Sequence, residues 1–166
     1  IETTVEKGIL HIKWKHQLSG FLKSKCLKRQ PAVVVFVSAP SLDRIELTMG
    51  VDFYAETIRS EGQLNICLSN GTGLKAGTVC AEHISLHVTQ VSGVKIENLR
   101  VSKLIIRNKA LSDIELNRMD SGSVDLHTSG FSDTELNGRA NDITLHSRSG
   151  SDTDIKELIY GSIDIK

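Results

Sequence analysis

Histidine offers the clearest chemistry in this sequence, because its imidazole binds metal ions and changes its charge near neutral pH. Three of the six histidines recur about twenty residues apart, together with an arginine at the same spacing. The series is Cys67, His87, Arg107, His127, His146 and Lys166. Two kinds of ligand suit it. One is a metal ion shared by His127 and His146, and the other is an anionic sugar or carboxylate held by Arg107 and protonated imidazoles.

The simpler interpretation of this series is a solvated outer face of polar residues. No carboxylate completes a metal-binding set, and stacked imidazoles are good neighbours on a sheet surface. Cys67 beside His87 is a weak thiol and imidazole pair on an open face. We therefore expect no bound metal, no cofactor and no catalytic residue in this series, and we keep its histidines and arginine as candidate ligand-binding residues.

A second series consists of carboxylates in two columns with the same spacing. They are Asp113, Asp133 and Asp152 beside Glu115, Glu135 and Asp154. Like charges opposite one another destabilise a sheet, so solvent or cations must screen them, or Ca²⁺ must bridge them. Screening is favoured, because Ser-Asp pairs suit turns and the glycine-rich calcium-binding nonapeptide is absent. These six residues are the other candidate ligand-binding residues.

The element that must position both series is a short strand that recurs along the chain. Its unit is an apolar, a polar and an apolar residue, and successive units start 19 or 20 residues apart. The units are Ile45-Glu46-Leu47, Leu64-Asn65-Ile66, Ile84-Ser85-Leu86, Leu104-Ile105-Ile106, Val124-Asp125-Leu126, Ile143-Thr144-Leu145 and Ile163-Asp164-Ile165. Alternation with a period of two indicates strands that bury one face.

Two further phases follow each unit in the same register. One contains pairs such as Val94 with Ile96, and a weaker one contains Val79, Leu99, Met119 and Leu158. No ten-residue window has apolar residues at i, i+3, i+4 and i+7, and the asparagine column of leucine-rich repeats is absent. The sequence therefore predicts an all-β fold, a single-stranded parallel β-helix (β-solenoid) with coils of about 20 residues. Residues one coil apart become neighbours in parallel ladders.

The alternation of side chains along each strand assigns every residue to the inward or the outward side of its coil. Apolar positions such as Leu126 form an inner rod, and aspartate at that position should break the stack. The same alternation places Ser92, Ser112, Ser132 and Ser151 inside. We expect their hydroxyls to be structural and to donate to one another along the ladder.

The first forty residues are less regular than the rest. We expect one solenoid domain over residues 1–166, with regular coils over 41–166 and a cap of irregular strands and a basic loop over 1–40. Strands are expected at Ile9 to Lys15 and at Val33 to Val37. The basic stretch between them is either a loop or a short amphipathic helix that bears Leu18, Phe21, Leu22 and Cys26 on one side.

Composition excludes several functions. The 20 basic and 20 acidic residues balance, and the basic stretch lacks aromatic residues, which argues against nucleic-acid binding. No apolar run reaches the roughly 18 residues of a membrane-spanning helix. The three cysteines lack zinc-site spacing, so free thiols are expected. Any targeting segment is expected to precede Ile1, because the chain carries no signal-peptide pattern.

Residues 38–166 resemble the head GIN domain family, which is labelled an auto-transporter adhesin and occurs in extracytoplasmic proteins of Bacteroidetes and other bacteria. The resemblance rests on three segments. They are Ser38-Ala39-Pro40-Ser41-Leu42-Asp43-Arg44-Ile45-Glu46-Leu47, Ser129-Gly130-Phe131-Ser132-Asp133-Thr134-Glu135-Leu136-Asn137-Gly138 and Ser149-Gly150-Ser151-Asp152-Thr153-Asp154-Ile155. It implies a right-handed single-stranded parallel β-helix, exported as a lipoprotein or surface protein, with no enzymatic residues to carry over.

The function expected from these features is that of a non-catalytic envelope or surface protein. Its repetitive polar face would bind a glycan or a protein of the envelope or a host, with a membrane reached only through a lipid anchor outside this chain. Two alternatives stay open: a polysaccharide lyase or hydrolase that uses the acidic columns, and a scaffold of self-assembling solenoids, that is, a homo-oligomer. Against the enzyme, turns that differ by one residue in length predict a smooth surface without a pocket.

Overall fold

A computed structural model describes residues 2–6, 9–13 and 34–166. Two compact units divide the chain, at residues 1–37 and 38–166. The described residues form strands, turns and bends but no helix, so the all-β prediction is confirmed. In these ranges, no helical segment has the length and apolar character needed to cross a bilayer.

The first unit contains one antiparallel hairpin, in which β1 (Glu2–Glu6) pairs with β2 (Ile9–Lys13). The strand expected from Ile9 is confirmed as far as Lys13. The strand expected at Val33 to Val37 is wrong for residues 34–37, which pair with no described strand, and Phe36 is 93% exposed. β-Branched residues favour a strand only where a partner strand and a buried face exist. The basic loop or helix expected before them lies outside the described residues.

The second unit is a stack of strands that winds through about six turns. Its strands are β3 (Arg44–Thr48), β4 (Asp52–Arg59), β5 (Gln63–Ser69), β6 (Gly73–Thr89), β7 (Gly93–Lys109), β8 (Asp113–Ser129), β9 (Asp133–Arg148), β10 (Asp152–Asp154) and β11 (Leu158–Ile165). All pairings among them are parallel. The predicted β-solenoid is therefore confirmed, while the capping role of residues 1–40 stays a prediction.

The core is a rod of side chains that point into the coils. Ile66, Leu86, Ile106, Leu126 and Leu145 follow one another in register, one from each successive coil. Each is at most 8% exposed, as the strand alternation predicts. Burial of such a side chain contributes about 1.5–3 kcal/mol, so this rod is a large part of what holds neighbouring coils together.

The first coil departs from the expected spacing. The repeat units align Ile45 with Leu64, but Ile45 pairs with Ile66, so that coil has 21 residues. The extra residue lies between Arg59 and Gln63, because Arg59 pairs with Cys80 and Gln63 pairs with His83. A shift of two residues leaves every side chain on its original face, and the apolar pattern therefore could not reveal it.

One later coil is a residue short, and a glycine makes the shortening feasible. The register between β8 and β9 slips between Leu116 and Met119, where Met119 pairs with Gly138. Gly138 has a φ of 123°, and a Cβ there would collide with the backbone of Met119. Only glycine therefore suits this position.

A pair of left-handed residues marks the same corner of every coil. The pairs are Met49 with Gly50, Asn70 with Gly71, Gln90 with Val91, Ala110 with Leu111, Gly130 with Phe131, and Ser149 with Gly150, with φ values from 57° to 75°. This conformation costs a non-glycine residue about 1–2 kcal/mol. The corner separates the end of one long strand from the start of the next, so it sets which polar residues face which side.

The inward serines close this corner rather than forming the expected ladder of hydroxyls. Ser92, Ser112 and Ser132 are buried, as predicted. Thr72 donates to the Ser92 hydroxyl at 3.3 Å, but Ser112 donates to the carbonyl of Lys109 at 2.8 Å. Ser132 and Ser151 likewise donate to the carbonyl three residues earlier. The predicted chain of hydroxyl donors is therefore wrong at Ser112 and Ser132, which donate to turn carbonyls and not to the next hydroxyl.

We expect Leu126→Asp to abolish the cooperative thermal unfolding transition seen by circular dichroism. Leu126 is 1% exposed, and an unpaired carboxylate there would cost several kcal/mol of a stability that is typically about 5–15 kcal/mol. The control is Ser123→Asp on the outward side of the same strand, which should shift the Tm by less than about 2 °C. A parent-like melt of Leu126→Asp would contradict the inward assignment.

Candidate functional surfaces

The two predicted series of polar residues form two ladders on different segments of each coil. The imidazole ladder joins Cys67, His87, Arg107, His127 and His146, which are paired in register near the ends of β5–β9. The carboxylate ladder has two columns, Asp113, Asp133, Asp152 and Glu115, Glu135, Asp154, near the starts of β8–β10. Both predicted groupings are therefore present, with the left-handed corner between them.

In the imidazole ladder, two rings stack on each other. The centroids of His127 and His146 lie 4.4 Å apart, and the ring planes differ by only 6°. His87 is two rungs away from His127, and Arg107 lies between them. Partial burial, followed by the charges of Lys109 and Arg107, lowers the pKa of His87 below its ordinary value, which favours its neutral form.

A carboxylate that was not predicted from the sequence lies beside the stacked imidazoles. Asp125 Oδ1 lies 3.0 Å from His127 Nε2. One donor atom each from Asp125, His127 and His146 lies within 4.8 Å of the other two. The expectation that no carboxylate completes the set is wrong, because residues two apart on a strand share a face. The signal was present in the unit Val124-Asp125-Leu126, whose middle residue points outward.

The carboxylate ladder lies along an open groove of about 620 Å³ that extends from Gly73 to Asp152. Lys75 and Lys95 belong to the same column as Glu115 and line one end of the groove. Glycine occupies positions 73 and 93, so the column that continues through Asp113 and Asp133 carries no side chain at the lysine end. The surface is therefore an open groove rather than smooth here, since side-chain size varies even where coil length does not.

Cations pair with Glu115 and Asp154, two of the three carboxylates in one column of the carboxylate ladder. Lys95 Nζ lies 2.5 Å from Glu115 Oε1, and this hydrogen bond is the main reason that the pKa of Glu115 is lowered and that of Lys95 is raised. Lys156 Nζ lies 2.6 Å from Asp154 Oδ2 and similarly lowers the pKa of Asp154. The screening by neighbouring cations that the sequence analysis favoured is present at these two residues.

In the other column, the carboxylates of Asp113 and Asp133 repel each other. Partial burial and then the charge of Asp133 raise the pKa of Asp113 above its ordinary value. Over the described part of the chain, the three-residue group of donors close enough to share a metal ion is the one around Asp125, not a group of the carboxylate ladder. Among the described residues, no three carboxylates of the groove therefore lie as close together as the donors of that group.

The cysteines of the described region are free thiols on different segments. Cys67 pairs in register with His87, and Cys80 pairs with Arg100. Both are partly buried, and Cys26 lies outside the described residues.

The fold and its surfaces define a class of protein: a parallel β-solenoid with an open groove edged by charged side chains and a second, polar ladder beside it. The sequence model of one family, described as "Putative auto-transporter adhesin, head GIN domain", matches residues 1–166. The chain belongs to this head GIN domain family, which confirms the resemblance and extends it over the first 37 residues. Its description points to an adhesin-like protein at the cell surface rather than to an enzyme. Searches of curated proteins and of solved structures found no match.

We expect Asp113→Asn to raise the Tm near pH 7. The pKa of Asp113 is raised in the folded protein, so its carboxylate destabilises the fold above that pKa and is harmless when protonated. The gain should therefore shrink on acidification and vanish below the ordinary carboxyl pKa of 3.8, as followed by thermal melts from pH 3 to pH 7.

The matched control is Asp142→Asn, because asparagine keeps an oxygen that accepts the Ser162 hydroxyl now bound at 2.7 Å. It should change the Tm little at any pH. Equal gains for both variants, or a gain for Asp113→Asn that does not depend on pH, would contradict the repulsion between Asp113 and Asp133.

Proposed function

We propose that this chain is a non-catalytic binding domain of the cell envelope or surface, and that its groove holds an extended glycan. The observation that carries the proposal is the groove of about 620 Å³, lined in register by the carboxylate ladder, Lys75 and Lys95. Its family description, an adhesin, supports a binding role. Attachment to a membrane would be through a lipid anchor outside residues 1–166.

The periodicity of the groove favours a polymer over a compact ligand. Rungs repeat about every 4.8 Å, so the five rungs from Gly73 to Asp152 extend over about 19 Å. The last three rungs each offer two carboxylates and the first two each offer a lysine, which suits a chain of similar units lying along the solenoid axis. Sugar units joined in an extended chain have this form.

The chemistry of the lining favours hydroxyl and amine groups on the ligand. Asp133 and Glu135 are exposed carboxylates that accept hydrogen bonds, while Lys75 and Lys95 donate them. The groove is therefore basic at one end and acidic at the other. A protein partner usually inserts buried aromatic or arginine anchors into pockets, and an open polar groove provides no such pocket. Amino sugars suit the acidic end, where carboxylates outnumber cations.

One observation favours the enzymatic alternative, a glycoside lyase or hydrolase. The raised pKa of Asp113 beside Asp133 is the property that a general acid in glycoside cleavage needs. The groove is nevertheless open along its length and lacks long loops that would enclose a substrate. We therefore favour binding without cleavage, and the two functions are separated by the assay below.

The test is a glycan array followed by calorimetric titration of the best ligand, with neutral, anionic and amino polysaccharides included. The double variant Asp133→Asn with Glu135→Gln should weaken binding at least tenfold. A hydrogen bond to a charged group contributes about 1.5–3 kcal/mol, and about 1.4 kcal/mol corresponds to tenfold in Kd. The reducing ends released from each polysaccharide are measured in parallel, and none are expected.

The matched control is Glu61→Gln with Asp142→Asn, two exposed carboxylates that do not line the groove. It should leave binding unchanged. No glycan bound, or equal weakening by both double variants, would contradict the proposal and leave a protein partner or a scaffold. Release of reducing ends that Asp133→Ala abolishes would establish the enzyme instead.

A further inference from the structure

We propose that Asp125, His127 and His146 bind one divalent transition-metal ion of the zinc type and thereby clamp two neighbouring coils. Asp125 and His127 lie two residues apart on β8, and His146 lies directly opposite His127 on β9. The three side chains therefore share an outward face because of strand alternation and coil register. Neither depends on a flexible loop.

The donor atoms have the spacing that a shared ion requires. All three lie within 4.8 Å of one another, and the stacked rings present their edges side by side at a centroid distance of 4.4 Å. Bonds from zinc to histidine nitrogen or carboxylate oxygen measure about 2.0–2.2 Å, so donors around a tetrahedral ion lie about 3.3–3.6 Å apart. Side-chain rotations that move the donor atoms by about 1.5 Å or less bring them into range.

An unsatisfied oxygen in this group points to a missing cation. Asp125 Oδ1 is shielded from solvent and accepts no hydrogen bond, although His127 Nε2 lies only 3.0 Å away. A shielded carboxylate oxygen without a donor is costly, and a cation between the oxygen and the ring nitrogen would satisfy both.

The donor types determine which metal fits. Two imidazoles and one carboxylate form a common ligand set for Zn²⁺ and its neighbours, whereas Ca²⁺ and Mg²⁺ take oxygen ligands. The side chains of His127 and Asp125 are 33% and 39% exposed, so water can reach the ion and complete its coordination. Arg107, one rung before His127, adds a positive charge beside the site and should lower the affinity of the site for the metal ion.

A metal at this position would stabilise the solenoid rather than serve the groove. The site connects β8 to β9 on the segment that precedes the left-handed corner, whereas the carboxylate ladder follows that corner. The proposal is thus independent of the glycan proposal. Because a ligand that binds only the folded state stabilises it, a hundredfold excess of metal over its Kd should raise the Tm by roughly 5 °C.

The test uses the purified, tag-free full chain, first treated with a chelator and then titrated with ZnCl₂ by calorimetry. We expect one Zn²⁺ per chain, the rise in Tm with Zn²⁺, and no rise with millimolar CaCl₂. With CoCl₂, visible absorption bands of nitrogen-ligated Co²⁺ should appear. His127→Ala, His146→Ala and Asp125→Asn should each weaken Zn²⁺ binding at least tenfold, while their metal-free melts stay close to that of the parent.

The matched control is His87→Ala, which removes an imidazole from the same ladder but outside the proposed set. It should bind Zn²⁺ as the parent does. Absence of binding, binding that survives all three site variants, or equal weakening by His87→Ala would each overturn the proposal. In the first case, Asp125 and His127 form only an ion pair when the imidazole is protonated.

Discussion

Parallel pairing of each coil with the next is the constraint on which the rest of this structure depends. A coil is only one strand layer thick, so its inward side chains are fully buried only when the coils before and after it cover them. Backbone hydrogen bonds then bring residues about 20 positions apart to within one rung of each other. Whatever chemistry a position carries is thereby repeated along the surface, and this repetition creates both the groove and the imidazole ladder.

The same constraint forces charges together and determines how they are compensated. Glu115 and Glu135 lie in adjacent rungs because their coils stack, not because they attract each other. Lys95, one rung earlier, neutralises Glu115, while Asp113 and Asp133 keep their repulsion. A surface that retains such repulsion in the folded state has carboxylates available to a ligand, which is consistent with a binding face.

Strand alternation and coil spacing were predictable from sequence because both leave a periodic trace. The columns through Leu126, through His127 and through Asp133 all follow from a period of two within strands and of about 20 between coils. The register of Ile45 was not predictable, since a shift of two residues preserves the pattern. Asn108 was not foreseen either: its side-chain nitrogen donates to the carbonyls of Ser112 and Asp133 and to the Thr134 hydroxyl, at 2.7 to 3.0 Å. Its role depends on the geometry of the corner, which the periodicity of the sequence does not reveal.

Among the site residues too, some positions were predictable from sequence and others were not. His127 and His146 were predicted to be neighbours because they occupy one column, whereas Asp125 lies in a different column and was not considered with them. The groove was missed because the spacing between coils says nothing about side-chain volume, and Gly73 and Gly93 create the space. Predictions from repeats are therefore strongest along a ladder and weakest across it.

The left-handed corner has a consequence for how such a protein can change over time. Because every described coil turns at an equivalent pair of residues, with similar φ values, a duplicated or deleted coil would join its neighbours without a new type of turn. Copy number would then lengthen or shorten the groove in steps of about 4.8 Å and leave its cross-section unaltered. Evolution could in this way adjust the length of polymer that is bound separately from the chemistry that recognises each unit.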